Sequence, residues 1–130
     1  MHVVKLADLP KIPASHEDSN QPGVWKQVIL TKANVQPGQM QMLNWATLPG
    51  RSSFQSHYHQ DMQEIFLILR GQVQMKVDEQ TVVLSDGDCV VIEPCEVHQM
   101  TNLNDQEAQY IVLGISSGKG GQTVVVEPME

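Results

Sequence analysis

The chain reads as an all-β protein of short antiparallel strands, closed into a barrel or folded as a two-sheet jelly roll. Three observations carry this reading. Apolar runs are short and bounded by turn residues at close spacing. Several alternate apolar with polar side chains, the pattern of a strand with one buried face. No window shows the three- and four-residue spacing of an amphipathic helix.

Residues 1–23 contain Pro10, Pro13 and Pro22 and a polar run at 16–21, so they read as an N-terminal arm with a short edge strand at 3–6. Residues 24–130 form the single expected domain. A strand at 25–30 is stopped by the 34–38 turn. In 39–48, Met40, Met42 and Asn44 alternate against Gln41, Leu43 and Trp45, and Pro49-Gly50 ends the strand. Residues 64–70 and 72–78 read as two strands joined at Gly71. In the second, Val73, Met75 and Val77 face one way while Gln72, Gln74 and Lys76 face the other. After a turn at 78–80, residues 81–84 return, and 85–88 turn again with Gly87 at positive φ. Segments 89–92, 98–103, 108–115 and 123–126 complete the set.

Composition narrows the function classes. A chain of 130 residues holds one domain with one core, and 41% hydrophobic residues argue against disorder. Aromatics are only 5%, so that core must rest on Val, Ile, Leu and Met. Fifteen acidic against eight basic residues give a formal net charge of -7, which repels a phosphate backbone. No basic stripe or aromatic ladder reverses this, so a nucleic-acid partner is not expected. No membrane association is expected either, because no run of about 20 apolar residues occurs. Lys5, Asp8, Lys11 and the prolines interrupt any secretory leader, and Cys89 and Cys95 make no disulfide framework. A reducing cytoplasm is the expected location. Cys89, in an apolar strand, reads as a small buried hydrophobe, and Cys95 lies in a turn near His98.

The chemistry gathers at His57-Tyr58-His59. Alternation puts His57 and His59 on one side of a strand and Tyr58 on the other. Glu64 opens the next apolar strand, and His98 follows the turn after residue 92. Three imidazoles and a carboxylate at strand ends suit a divalent first-row transition metal. Fe(II), Mn(II), Ni(II) and Zn(II) all accept such donors, and the donors alone do not select among them. Four protein ligands on an otherwise six-coordinate ion leave positions for water, oxygen or a chelating substrate.

The parity of His98 continues through Met100 and Asn102, and that of Glu64 through Phe66 and Ile68, so the walls read as apolar. No Arg or Lys points inward near the ligands, and Glu93 and Glu96 border the site. A small neutral or weakly acidic organic ligand is therefore favoured over a sugar phosphate. Gln55 and Gln63 are candidate donors at the mouth, although Gln63 has the opposite parity to Glu64. Tyr110 is a candidate proton donor whose phase the sequence leaves open. His2 and His16 read as solvated. Gly118-Lys119-Gly120-Gly121 lacks the order of a phosphate loop, and Ser52, Ser53 and Ser56 lack a nucleophile elbow.

These residues resemble the cupin superfamily. The first cupin motif has a glycine, His-x-His, a glutamate and a second glycine. His57, His59, Glu64 and Gly71 match it in kind and spacing, while Gly50 lies one residue farther upstream than usual. The second motif opens with Gly87-Asp88 and closes with His98 and, beyond it, Asn102. Its usual proline and glycine are replaced by Glu93 and Cys95, with Pro94 between them, a departure that bears on turn geometry more than on the metal. The resemblance implies a cupin/jelly-roll β-barrel with a mouth-facing metal. It also implies a homodimer, with the arm and the 25–30 strand placed to cover a barrel edge. It names no single reaction. A metal-dependent enzyme, an oxygenase first, is the leading expectation. A metal-containing small-ligand-binding or accessory protein is the alternative, and a metal-dependent isomerase or epimerase the second. No catalytic acid or base is assigned.

Overall fold

A computed structural model describes residues 1–126; the last four residues of the expected 24–130 domain lie outside the described residues. The strands run in chain order as β1 (His2–Val4), β2 (Ile12–Pro13), β3 (Trp25–Lys26), β4 (Gln39–Leu48), β5 (His57–His59) and β6 (Met62–Arg70), then β7 (Val73–Val77), β8 (Gln80–Leu84), β9 (Cys89–Ile92), β10 (His98–Asn102), β11 (Ala108–Ser116) and β12 (Thr123–Val125). They form one five-stranded sheet in the order β1-β9-β6-β11-β4 and a second in the order β12-β5-β10-β7-β8, with β2-β3 a small separate ribbon. Every pairing is antiparallel.

Alternation decides what each sheet buries. Phe66 and Ile68 of β6, Ile92 of β9 and Val112 of β11 meet Val73, Met75 and Val77 of β7, Leu84 of β8 and Met100 of β10 in one core. The expected facing of Val73, Met75 and Val77 is borne out, since all three are buried while Lys76 is exposed. This core is aliphatic and methionine-rich, as the low aromatic content requires.

Among the described residues neither five-stranded sheet closes on itself, so of the two expected forms, closed barrel and two-sheet jelly roll, the structure has two antiparallel sheets of jelly-roll type. The reason lies in how the chain changes sheets. Strands β6 and β7 flank Gly71 as expected, but they are not a hairpin: β6 belongs to the first sheet and β7 to the second. Gly71 makes that crossing at φ +107, and a Cβ there would lie 2.9 Å from the Ala108 Cβ. The return from β8 to β9 uses Gly87, whose φ of +83 matches the sequence expectation. Such sharp corners transfer the chain without a shared ladder, leaving β1 and β4 at the edges of the first sheet and β12 and β8 at those of the second among the described residues.

The arm is tied down more firmly than its composition indicates. Strand β1 adds to β9, and a 3-10 turn at Leu6–Asp8 follows. The Asp88 carboxylate accepts the backbone N–H of Leu6 (3.1 Å) and of Ser85 (2.8 Å), and pairs with Lys5 at 3.2 Å. The strand expected at 25–30 shortens to Trp25–Lys26, paired only with Ile12–Pro13. Gln27 leaves the ladder because its Nε2 donates to the carbonyls of Leu6 (3.1 Å) and Leu9 (3.0 Å). Among the described residues no helix is long and apolar enough to cross a membrane.

Ile68 is 1% exposed at the centre of the core and Val83 is 40% exposed on β8. Ile68→Ala should lower unfolding free energy by about 2–5 kcal/mol, and Val83→Ala by roughly 0.5 kcal/mol or less. Urea unfolding followed by circular dichroism separates the two.

Candidate metal centre

Register brings the four predicted ligands together. Strand β5 lies between β10 and β12, so His57 sits opposite His98 and His59 opposite Thr123. Glu64 enters from the other sheet, between Ile92 of β9 and Gly114 of β11. One donor atom from each of His57, His59, Glu64 and His98 lies within 4.8 Å of every other. His59, Glu64 and His98 are buried at 6%, 4% and 1% exposure, and His57 keeps partial access to solvent.

Each imidazole is oriented from behind. His57 Nδ1 meets the Gln55 carbonyl at 2.7 Å and His98 Nδ1 the Glu96 carbonyl at 3.0 Å. His59 Nδ1 lies 3.1 Å from the Thr123 hydroxyl. A carbonyl only accepts, so Nδ1 of His57 and His98 must carry the proton, and a neutral ring then has a bare lone pair at Nε2. All three Nε2 atoms face the Glu64 Oε1 atom, at 4.0 Å from His57, 2.7 Å from His59 and 2.9 Å from His98. Lone pairs aimed at a carboxylate oxygen repel unless a cation lies between them. His59 Nε2 is moreover buried with no hydrogen-bond partner of acceptable geometry. The donor set therefore fits a divalent transition metal, with the outer hydrogen bonds that hold metal-binding histidines in place.

Without a metal, protons supply the missing positive charge. Burial raises the Glu64 pKa, but the flanking His59 and His98 outweigh it and hold the carboxyl at about 2. Burial lowers the His59 pKa, yet the adjacent Glu64 carboxylate raises it above 6.5 overall. For His57, burial and the neighbouring histidine charges prevail over the Gln55 carbonyl and lower it.

The other sequence candidates sort by parity. Tyr58 faces away from the cluster, as expected from its place between the histidines. Tyr110, whose phase the sequence left open, points inward; its ring lies 5.6 Å from Phe66, and burial followed by the Glu64 charge raises its pKa. Phe54 was not predicted, because it stands on an irregular segment with no periodicity to read. Its ring lies 5.2 Å from His57, 5.9 Å from His98 and 6.2 Å from Phe66. Both phenylalanines and Tyr110 thus border the cluster.

Gln63 does not reach the mouth. It is buried on the outer side of β6, where Oε1 accepts the Gln36 N–H (3.0 Å) and Nε2 donates to Glu93 (2.9 Å). Gln55 contributes its backbone carbonyl to His57. Asn102 is a clamp, its Nδ2 reaching the carbonyls of Leu48 (3.1 Å), Pro49 (3.2 Å) and Gln106 (2.8 Å). Cys95 occupies the turn position where the family pattern has glycine and takes φ +69, and its N–H donates to the His59 carbonyl at 2.7 Å. Asp61, also unpredicted, gathers the 116–121 loop. Its carboxylate accepts from the Ser116 hydroxyl (2.6 Å) and the N–H groups of Lys119 and Gly121. That loop leads directly into β12 and Thr123.

Two pH dependences follow. In the metal-free protein, Glu64 adds stability above its unfolded value of 4.5, and that stability is lost as pH falls from there towards 2. Urea unfolding against pH should show the loss, reduced in Glu64→Gln. Metal binding must displace the proton held near His59. Zn(II) affinity measured by competition with a chelator should therefore fall as pH is lowered from about 8 to about 6.

A family model described as "Cupin domain" matches residues 44–114. No curated protein matches significantly. Among solved structures, an uncharacterized conserved protein with a double-stranded beta-helix domain from Klebsiella pneumoniae subsp. pneumoniae MGH 78578 is 14% identical, with TM-score 0.62 over 72% of this chain and 80% of that one. The DMSP lyase DddQ from Ruegeria pomeroyi DSS-3 is 19% identical, with TM-score 0.58 over 68% of this chain and 44% of that one. An oxalate oxidase in complex with the substrate analogue glycolate is 20% identical, with TM-score 0.58 over 65% of this chain and 45% of that one. At these identities the structures show a shared fold. Because the matched segment spans more than half of the sequence and encloses all four converging side chains, the chain belongs to the cupin family.

Proposed function

We propose that this cupin is a metal-dependent small-molecule enzyme, with oxygen chemistry the leading class, in which His57, His59, Glu64 and His98 hold one divalent transition metal. The carrying observation is the convergence of three Nε2 atoms on Glu64 Oε1. When bound, the ion supplies a Lewis acid for a chelating substrate and, if it is iron or manganese, a redox centre. The chain's own residues do the rest. The Gln55 and Glu96 carbonyls and the Thr123 hydroxyl fix the imidazoles, and Glu64 offsets positive charge.

Phe54, Phe66 and Tyr110 wall the site and exclude water beside the ligands. Lys5 and Arg51 are engaged by Asp88 and Asp105, and Arg70 and Lys76 are exposed at the surface. This absence of a cationic clamp among the described residues supports a small neutral or weakly acidic organic substrate. Shared fold with an oxalate oxidase and a DMSP lyase is compatible with such chemistry but assigns none of it.

Metal content of purified His57→Ala, His98→Ala and Glu64→Ala, read by mass spectrometry, should fall several-fold below wild type while circular dichroism is unchanged. Full occupancy in all three defeats the ligand assignment. Fe(II)-loaded wild type should consume oxygen with a suitable small organic substrate, and Glu64→Ala should not. A native zinc protein that holds its ligand chemically unchanged would replace the enzyme with a binding protein.

A further inference from the structure

Alternation along β4 puts Met42, Asn44, Ala46 and Leu48 on one face, and Met42, Ala46 and Leu48 pack against the core. Asn44 shares that inward face, opposite Val112 of β11 and, beyond it, Phe66 of β6, both buried. Yet Asn44 itself is exposed. An inward residue that solvent reaches marks a gap between the sheets, and β4 is an edge strand with no described neighbour to seal its rim. The Asn44 carboxamide pairs with no described group. In contrast, Asn102 clamps three carbonyls and Gln63 links Gln36 to Glu93.

The gap leads to the metal ligands. Across β4, β11 and β6, Met42 and Gly114 lie beside Glu64, Asn44 and Val112 beside Phe66, and Ala46 and Tyr110 beside Ile68. Successive rows on one face are about 7 Å apart, so Asn44 stands one row from the Glu64 ligand. The Glu64 row itself is filled, since a Cβ on Gly114 would lie 2.5 Å from the sulfur of Met42 and 2.5 Å from that of Met62. The way in therefore runs over the next row, from Asn44 past Phe66, whose ring lies 5.9 Å from that of His98.

Tyr110 adds a second donor at the same opening. It sits opposite Ala46 and is the diagonal neighbour of Asn44, with Cβ atoms roughly 7 Å apart. Tyr110 is 9% exposed. Among the described residues the only buried side-chain polar atom without a partner is His59 Nε2. The Tyr110 hydroxyl, which no described group holds, therefore meets solvent.

We propose that Asn44 and Tyr110 are the substrate-binding pair of this metal centre, and that they hold a short monocarboxylate with a hydroxyl or oxo group on the adjacent carbon. This rests on the functional reading above, in which His57, His59, Glu64 and His98 hold a divalent ion. Such an ion with one carboxylate and three neutral imidazoles keeps one net positive charge. A single further carboxylate neutralises the site, whereas a dicarboxylate leaves a buried negative charge with no inward Arg or Lys to pair it. Oxygens on neighbouring carbons suit the positions that four protein ligands leave on a six-coordinate ion. The carboxylate oxygen left off the ion accepts hydrogen bonds from the Asn44 carboxamide and the Tyr110 hydroxyl, both neutral donors.

Cobalt(II)-loaded protein, titrated with L-lactate and separately with azide and followed by its visible spectrum, tests the pair. Azide takes one open position without reaching the next row, so it reads the metal centre alone. Asn44→Leu and Tyr110→Phe should each weaken lactate binding on the order of tenfold, with azide affinity, cobalt content and circular dichroism unchanged. Asn44→Asp, which sets one carboxylate against another, should weaken lactate further. Thr47→Val, on the outward face of the same strand, should bind lactate as wild type does. Wild-type lactate affinity in both Asn44→Leu and Tyr110→Phe, or a wild type that takes up azide but not lactate, would overturn the proposal and leave the metal centre standing. A wild type that holds no cobalt, or holds it without admitting azide, would overturn the functional reading and the proposal with it.

Discussion

Three imidazole nitrogens aimed at one buried carboxylate oxygen set the central constraint on this protein. Glu64 Oε1 lies 2.7 Å from His59 Nε2 and 2.9 Å from His98 Nε2, at exposures of a few per cent. Backbone carbonyls already claim the Nδ1 protons of His57 and His98. Neutral rings held this way would present lone pairs to a carboxylate, so the site demands positive charge in its middle. Protons can provide it, as the raised His59 and depressed Glu64 pKa values indicate. A divalent ion provides it with one ligand from each residue, and burial makes the neutralisation worth more than at the surface.

The surrounding structure keeps those atoms in place. Strand β5 has only three residues, too short to hold its histidines alone, and it is clamped by β10 and β12. The ladder with β12 depends on the loop gathered by Asp61, and the other flank is braced where the Cys95 N–H meets the His59 carbonyl. Glu64 comes from the opposite sheet, so the site exists only while the two sheets are packed across the Phe66, Ile68, Met75 and Met100 core. Core packing thus sets the geometry of the four donor side chains, and Phe66 and Tyr110, with Phe54 packed against them, belong to the core and border the cluster at once.

The sequence made the His/Glu cluster legible because period-two parity needs no tertiary knowledge. His57 and His59 share a face wherever the strand lies, and inward parity of His98 carries through Met100 and Asn102, all buried. Parity also placed Tyr58 outside, and the opposite parity of Gln63 to Glu64 prevails over its reading as a donor at the mouth. It failed where periodicity stops. Phe54 and Asp61 stand on irregular segments, and their roles come from contacts across the fold. The strand expected at 25–30 was cut short by a side-chain hydrogen bond from Gln27, which local propensity does not register. Strands β6 and β7 read as neighbours because alternation cannot tell a hairpin from a change of sheet at Gly71.

The most direct test is diffraction from crystals of the metal-loaded protein, collected at the absorption edge of the ion. The account predicts one anomalous peak bonded to Nε2 of His57, His59 and His98 and to a Glu64 carboxylate oxygen. The Nδ1 hydrogen bonds to the Gln55 and Glu96 carbonyls should be retained. A peak elsewhere, or no peak with Glu64 still in direct contact with His59 and His98, would contradict it.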